Sequence, residues 1–208
     1  YSLAANQNNS YAKFNLGLIY LEGKYITQDI NKAISYFIQA ANQQNVLAQR
    51  YLGYIYFGNK YVKRDIQKAI NYFTLAANQN DSESQLVLGD IYFDNTYIER
   101  DMKKAVYYFE LAANQNVSDA QMKLGIIWSS KDINKAIHYL TLSAKQNHRD
   151  SLYYLGIIYF EGNKIKKDIN KAIYYFTRAA YLNHPDAQNI LGIIYYDGIH
   201  VKCDINKA

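Results

Sequence analysis

Asp29-Ile30-Asn31-Lys32-Ala33 is built from ordinary residues, and it decides the fold because it returns. The later copies are Asp65-Ile66-Gln67-Lys68-Ala69, Asp101-Met102-Lys103-Lys104-Ala105, Asp132-Ile133-Asn134-Lys135-Ala136, Asp168-Ile169-Asn170-Lys171-Ala172 and Asp204-Ile205-Asn206-Lys207-Ala208. A second mark, Leu-Gly-x-Ile-Tyr or a near variant, runs ahead of each copy. Its glycines are Gly17, Gly53, Gly89, Gly125, Gly156 and Gly192, spaced by 36, 36, 36, 31 and 36 residues. A period in this range marks a two-helix unit that buries its apolar face only by stacking on its neighbours.

Each unit reads as helix A, loop, helix B. In the first, helix A covers about residues 10–21, and Ala12, Leu16, Ile19 and Tyr20 line one face of a 3.6-residue period. Gly17 sits inside that helix, where glycine costs about 1 kcal/mol against alanine, so its recurrence points to a close approach of two helices. Asp29 is placed to cap helix B by accepting bonds from free backbone N–H groups at the positive helix end. Lys32, three residues on, is expected to lie along the helix with a solvated amine. Ala33, Phe37, Ala40 and Ala41 repeat the apolar stripe, and Asn42-Gln43-Gln44-Asn45 ends the helix, asparagine being tolerant of the left-handed turn. The fold class is therefore all-α, an α/α solenoid.

The expected repeats are 10–45, 46–80, 81–116, 117–147, 148–183 and 184–208, with 1–9 as the tail of a preceding one. The fourth is short. Gly125 to Asp132 spans 7 residues where the other repeats have 12, so five loop residues are gone. Trp128 stands there in the slot of Tyr20, Tyr56, Tyr92, Tyr159 and Tyr195. Tyr1–Asn8 match Phe73–Asn80, and the last repeat stops one turn into its helix B, so the expectation is one segment of a longer array with frayed ends.

The pattern Ala-x-x-x-Leu-Gly-x-Ile-Tyr, a loop, then Asp-x-x-Lys-Ala-x-x-Tyr-Phe-x-x-Ala-Ala resembles the Sel1-like repeat, kin to the tetratricopeptide repeat. The likeness covers essentially the whole chain. Its local departures are the short fourth repeat, Ser84 and Ser151 in the small alanine slot, and Asn59 where the first repeat has Gly23. The resemblance implies a right-handed superhelix used as an adaptor. Members of that family scaffold membrane-protein quality control, cell-wall synthesis regulators and bacterial encounters with host factors, and in some single-celled eukaryotes such arrays accompany kinase domains. The motif residues of the family are structural, so no catalytic residue carries over. The disulfide-braced bacterial branch is not matched, because this chain has one cysteine.

The 208 residues are half apolar and one-fifth charged, as folded globular chains are, and the net charge of +5 is spread rather than clustered. Cys203 alone rules out an internal disulfide framework and fits a reducing, cytoplasmic setting. No apolar run approaches the roughly 20 residues of a membrane span.

Candidate chemistry is thin. Ser10 and Lys13 match Ser-x-x-Lys, but the companion elements of the penicillin-binding enzymes are missing; the plain reading is a helix start with an exposed Lys13. His200 and Cys203 supply two metal ligands where zinc wants three or four, and His138, His148 and His184 are scattered over separate repeats. No phosphate-binding loop and no His-Glu-x-x-His motif occurs. The Asp and Lys of the recurring stretch cannot be an acid–base pair, since a catalyst needs one site and not six. The expectation is no enzyme, no cofactor and no metal.

The informative positions are those that vary between repeats. On helix A, the residues before Leu and after Gly share a face: Asn15 and Leu18, Tyr51 and Tyr54, Val87 and Asp90, Lys123 and Ile126, Tyr154 and Ile157, Ile190 and Ile193. Helix A lines the concave side of related arrays, so these residues are expected to floor a groove for a peptide or protein partner. Tyr51, Tyr54, Asp90, Lys123, Tyr154 and Ile157 are the expected contacts; the plain alternative is packing between neighbouring A helices. A second variable strip, Tyr25, Tyr61, Tyr97, Lys164 and His200, is mixed with lysines and arginines and would suit RNA by charge and stacking. A third reading makes the array the regulatory arm of an enzyme such as a kinase.

Overall fold

The computed structural model describes residues 9–197. Among them are eleven helices and no strand: α1 Ser10–Glu22, α2 Ile30–Ala41, α3 Val46–Phe57, α4 Ile66–Ala77, α5 Ser82–Phe93, α6 Met102–Asn114, α7 Ser118–Ser129, α8 Ile133–Lys145, α9 Arg149–Glu161, α10 Ile169–Tyr181 and α11 Pro185–Asp197. Odd-numbered helices are the A helices and even-numbered ones the B helices. The chain falls into two compact units, residues 1–108 and 109–208. In the first unit α1 pairs with α2 and α3 with α4, while α2 packs on α3 and α4 on α5; in the second α7 pairs with α8 and α9 with α10, while α8 packs on α9 and α10 on α11.

The recurring aspartate does what its position predicts. Asp29, Asp65, Asp101, Asp132 and Asp168 each accept the backbone N–H of the lysine three residues on, at 2.9–3.1 Å. A cap of this kind contributes about 1 kcal/mol. Each B helix closes through a left-handed residue: Gln44, Asn80, Asn116, Asn147 and Asn183 have φ of 59–63°. Asparagine thus takes the turn in four repeats, and glutamine takes it in the first. The next residue's N–H then reaches back to Ala40, Ala76, Ala112, Ser143 or Ala179 in a Schellman-type closure. That same residue starts the following A helix: Asn45, Asp81 and His148 cap it with their side chains.

The in-helix glycines serve packing. A Cβ built on Gly17, Gly53 or Gly156 would lie 2.5–2.6 Å from the ring of Phe37, Phe73 or Phe176, and one on Gly125 would meet Leu140 at 2.5 Å. Only a bare Cα admits those side chains, which are 0–1% exposed. The alanines of the stripe, Ala33, Ala69, Ala105, Ala136 and Ala172, are wholly buried.

The recurring lysine is more organised than a solvated amine. Lys32, Lys68, Lys104 and Lys171 ammonium groups sit 3.4–3.8 Å from the cap carboxylate. The same groups lie 4.8–5.4 Å from the ring centres of Tyr20, Tyr56, Tyr92 and Tyr159, and Lys135 lies 4.3 Å from Trp128. Each of those tyrosines stacks on a helix-B tyrosine: the pairs Tyr20–Tyr36, Tyr56–Tyr72, Tyr92–Tyr108 and Tyr159–Tyr175 have centroids 5.7–5.9 Å apart. Cap, cation and two rings form one recurring column that ties helix A to helix B. An exposed cation over a ring is worth about 0.5–1 kcal/mol.

Candidate interaction face

The variable face of the A helices is partly packing and partly surface. In the first unit, Tyr51 is half-buried, its ring 5.3 Å from Phe14 and 5.8 Å from Phe37. Leu18 packs on the same core, so these two positions serve the joint between neighbouring repeats. Tyr54, one turn on, is 39% exposed with its ring edge-on to Phe73 at 5.1 Å. Its hydroxyl donates to Glu83 at 2.8 Å, and Arg50 holds Asp81 at 3.1 Å and Glu83 at 2.6 Å. Partial burial, then the Glu83 carboxylate, pushes the Tyr54 phenol well above its ordinary range. Leu21, Tyr51, Tyr54, Ile55 and Tyr61, with Arg50 and Glu83, line a cleft of about 420 Å³.

In the second unit, Ile126 and Ile157 are half-buried against the core, and Tyr154 is 37% exposed beside Tyr153. Ile126, Tyr154 and Ile157 line a hollow of about 270 Å³ with Gly125, Leu140 and Ile158. Of the six expected contacts, Tyr51 and Tyr54 therefore share one cleft, and Tyr154 and Ile157 share another. Asp90 stands half-buried on α5 of the first unit, and Lys123 half-buried on α7 of the second.

The loop strip is built differently. Arg64 lies over the Tyr97 ring at 4.7 Å and donates to the Phe57 carbonyl at 2.8 Å. Lys24 sits over Tyr25, Lys60 over Tyr61, Arg100 over Phe93 and Lys167 over Phe160, at 4.8–5.4 Å. Lys164 donates to the carbonyls of Ser129 and Ser130, at 3.0 and 2.6 Å, capping the C-terminus of α7. These cations already face the protein's own rings and carbonyls.

Two expectations need correction or placement. Lys13 is not exposed: at 8% it is buried, at the offset that Gln49, Gln85 and Gln121 hold in the next three repeats. An apolar stem lets a lysine fill that slot. The His200–Cys203 pair, the Asp204 cap and the 1–8 tail lie outside the described residues. Among the described residues no three His, Cys, Asp or Glu side chains converge as a metal site, and no helix is long and apolar enough to cross a membrane.

Sequence reasoning missed a polar rung at the joints. The amides of Gln49, Gln85, Gln121 and Gln188 donate to the carbonyls of Ala41, Ala77, Ala113 and Ala180 at 3.1–3.2 Å. In the first unit Gln79 adds a bond to Gln49 at 2.8 Å, and in the second Gln146 adds one to Gln121 at 2.9 Å. The signal was present as a glutamine one residue after the small slot of helix A. The fifth repeat has Leu152 there, and the carbonyl of Ala144 is taken instead by Arg178 from α10, at 3.3 Å.

The comparison with known families decides the affiliation. The Sel1 repeat model matches residues 10–45, 46–81, 82–117, 118–148, 149–184 and 185–208.

The chain belongs to the Sel1 repeat family. Among solved structures it is similar to c5321, a protective antigen present in uropathogenic Escherichia coli strains that displays the same repeat fold. Identity is 27% and the TM-score 0.82, over 98% of this chain and 44% of that protein. This chain thus spans less than half of the Escherichia coli protein's length. A Sel1 repeat protein from Oxalobacter formigenes is 29% identical with a TM-score of 0.78, over 97% of this chain and 84% of that one. A third Sel1 repeat protein, from Klebsiella pneumoniae, is 21% identical with a TM-score of 0.51, over 92% of this chain and 95% of that one, and speaks for the fold alone. A search of curated proteins gives no match. Sel1 repeat proteins are commonly protein-interaction scaffolds and typically non-catalytic.

Proposed function

We propose that this chain is a non-catalytic scaffold that binds a peptide or protein partner on its A-helix face. The contacts proposed are Tyr51, Tyr54, Asp90, Lys123, Tyr154 and Ile157. One observation carries the reading: Tyr54, one residue after Gly53, and Tyr154, two residues before Gly156, each stand part-exposed at a cleft, the first walled by apolar and aromatic side chains with the Arg50–Glu83 pair, the second mainly apolar. Tyrosine suits such a place, because it offers a rigid ring and a polar tip at low entropic cost. What weighs against RNA on the loop edge is that its arginines and lysines already cover its own rings, leaving fewer free stacking platforms.

The test is a pull-down from native lysate, with and without nuclease, comparing the chain with its Tyr54→Ser, Tyr154→Ser double variant. Tyr51 is left intact because its ring supports the joint with Phe14 and Phe37. A nuclease-resistant protein that the double variant no longer captures supports the proposal. Capture that vanishes with nuclease moves the site to the loops, and capture unchanged by the substitutions removes it from this face.

A further inference from the structure

The hollow beside Tyr154 lies where three large side chains of the repeat pattern have been lost. The position eight residues after the capping aspartate holds Phe37, Phe73, Phe109 or Phe176 in other repeats; here it holds Leu140, which lies opposite Gly125. The position four residues after the in-helix glycine holds Phe57, Phe93 or Phe160 in three other repeats; here it is Ser129. The loop position that holds Tyr25, Tyr61 and Tyr97 in the first three repeats holds Lys164 in the fifth. In the first unit these slots fill one another: Tyr97 meets Phe57 edge-on at 5.5 Å, and Phe57 meets Phe73 at 6.5 Å. At the joint of the fourth and fifth repeats the rings are replaced by a leucine, a hydroxyl and an ammonium group. The floor and walls that remain are Gly125, Ile126, Ile133, Leu140, Ile157 and Ile158.

Glu161 and Lys164 are the charged residues that line the hollow, and Lys164 is engaged by the carbonyls of Ser129 and Ser130. In the adjoining turns Lys167 lies over the Phe160 ring, while the exposed Lys131 and Lys166 add positive charge. The Glu161 carboxylate takes the Asn163 side-chain amide at 3.0 Å, and the nearby Asp132 and Asp168 are held by the helix N-termini they cap. Of the polar groups in its lining, Ser129 Oγ donates to the Ile126 carbonyl, the Asn163 amide to Glu161 and Lys164 to the Ser129 and Ser130 carbonyls, so the remaining apolar floor fits a hydrocarbon ring better than the polar edge of a base. Basic rim charge favours acidic flanks and speeds their encounter.

We propose that this hollow receives one aromatic side chain, Phe, Tyr or Trp, of a partner segment whose neighbouring residues are acidic. The inference rests on the A-helix reading above and names the chemistry of its partner at one point. The short fourth repeat then has a purpose: it trades internal rings for a seat that a partner's ring completes.

The test is a selection of random dodecapeptides displayed on phage against the whole chain, followed by fluorescence polarisation with the enriched peptides as synthetic probes. The deciding variant is Leu140→Phe. It restores the residue that four other repeats carry, so the fold tolerates it, and its ring occupies the hollow. The expected result is enrichment of peptides with one aromatic among acids, bound at least tenfold more weakly by Leu140→Phe. A Lys131→Glu, Lys166→Glu variant should weaken the same peptides and flatten their salt dependence. Enriched peptides that bind Leu140→Phe like the parent but lose the Tyr54→Ser variant overturn this inference and leave the scaffold reading standing. No enrichment overturns both. A twelve-residue oligouridine that binds and is expelled by Leu140→Phe shows a base in the hollow and also overturns the inference.

Discussion

Arg178→Leu should destabilise the second unit, and Leu152→Gln should restore it. Each helix-B carbonyl at this joint accepts one turn N–H, as Ala144 does from Asn147 at 3.0 Å, and offers its second lone pair to the following repeat. Glutamine fills that lone pair in four repeats, and Leu152 cannot. Arg178 fills it at Ala144 and also reaches Asn147 Oδ1 at 2.9 Å. The other repeats place Gln39, Leu75, Leu111 and Leu142 at its position, so leucine is tolerated by the helix itself. A hydrogen bond from a charged donor contributes about 1.5–3 kcal/mol. The carbonyl keeps its other bond and Arg178 is partly exposed, so the loss should fall near the low end, about 1.5 kcal/mol. In the double variant the introduced glutamine would reach Ala144 from α9 as Gln121 reaches Ala113 from α7. Urea unfolding of the parent, both single variants and the double variant measures the coupling. A coupling of about 1 kcal/mol or more is expected. Additivity within about 0.5 kcal/mol would show that Arg178 does not stand in for the missing glutamine.

Other outcomes follow from the packing. Leu88→Ala, at a wholly buried position, should cost ~2–5 kcal/mol, while Lys131→Ala on the exposed turn should cost under about 0.5 kcal/mol; denaturant midpoints at constant slope decide it. Gly53→Ala places a methyl 2.6 Å from the Phe73 ring, so the clash, at about 1–3 kcal/mol, should outweigh the roughly 1 kcal/mol gained in helix propensity and lower the thermal midpoint. The carboxyls of Asp65 and Asp101 are held below the usual carboxylate range, chiefly by the backbone N–H groups of Lys68 and Lys104. A depressed folded-state pKa adds stability above the unfolded value and loses it as pH falls through the folded one. Thermal stability should therefore drop on acidification below the ordinary aspartate range. Asp65→Ala, Asp101→Ala should be less stable at neutral pH and show a shallower drop; an unchanged acid profile would rule out the caps as its source.

The sequence carried most of the fold because the repeat states its own rules six times. Asp29 and its copies declare a cap, the glycines declare a close approach, and the alanine stripe declares a buried face, each tied to backbone geometry that a one-dimensional pattern records. What stayed illegible depends on which side chains meet across a joint. The burial of Lys13 follows from a slot shared with Gln49, and that slot's polarity is visible only once Gln49 is seen against Ala41. The exchange of Leu152 for Arg178 links residues 26 positions apart on different helices. Lys164 was readable as a basic loop residue; its grip on the carbonyls of Ser129 and Ser130 was not, because it joins residues 35 and 34 positions apart in two different repeats. Periodicity groups the variable face, but it does not separate Tyr51, which packs on Phe14, from Tyr54, which faces outward.

The most direct test of the scaffold reading is hydrogen exchange with mass spectrometry on the chain alone and bound to the protein captured from nuclease-treated lysate. The account predicts added protection in α3 and α9, around Tyr54 and Tyr154, with the loops at residues 58–64 and 94–100 unchanged. Protection confined to those loops, or none in either A helix, would contradict it.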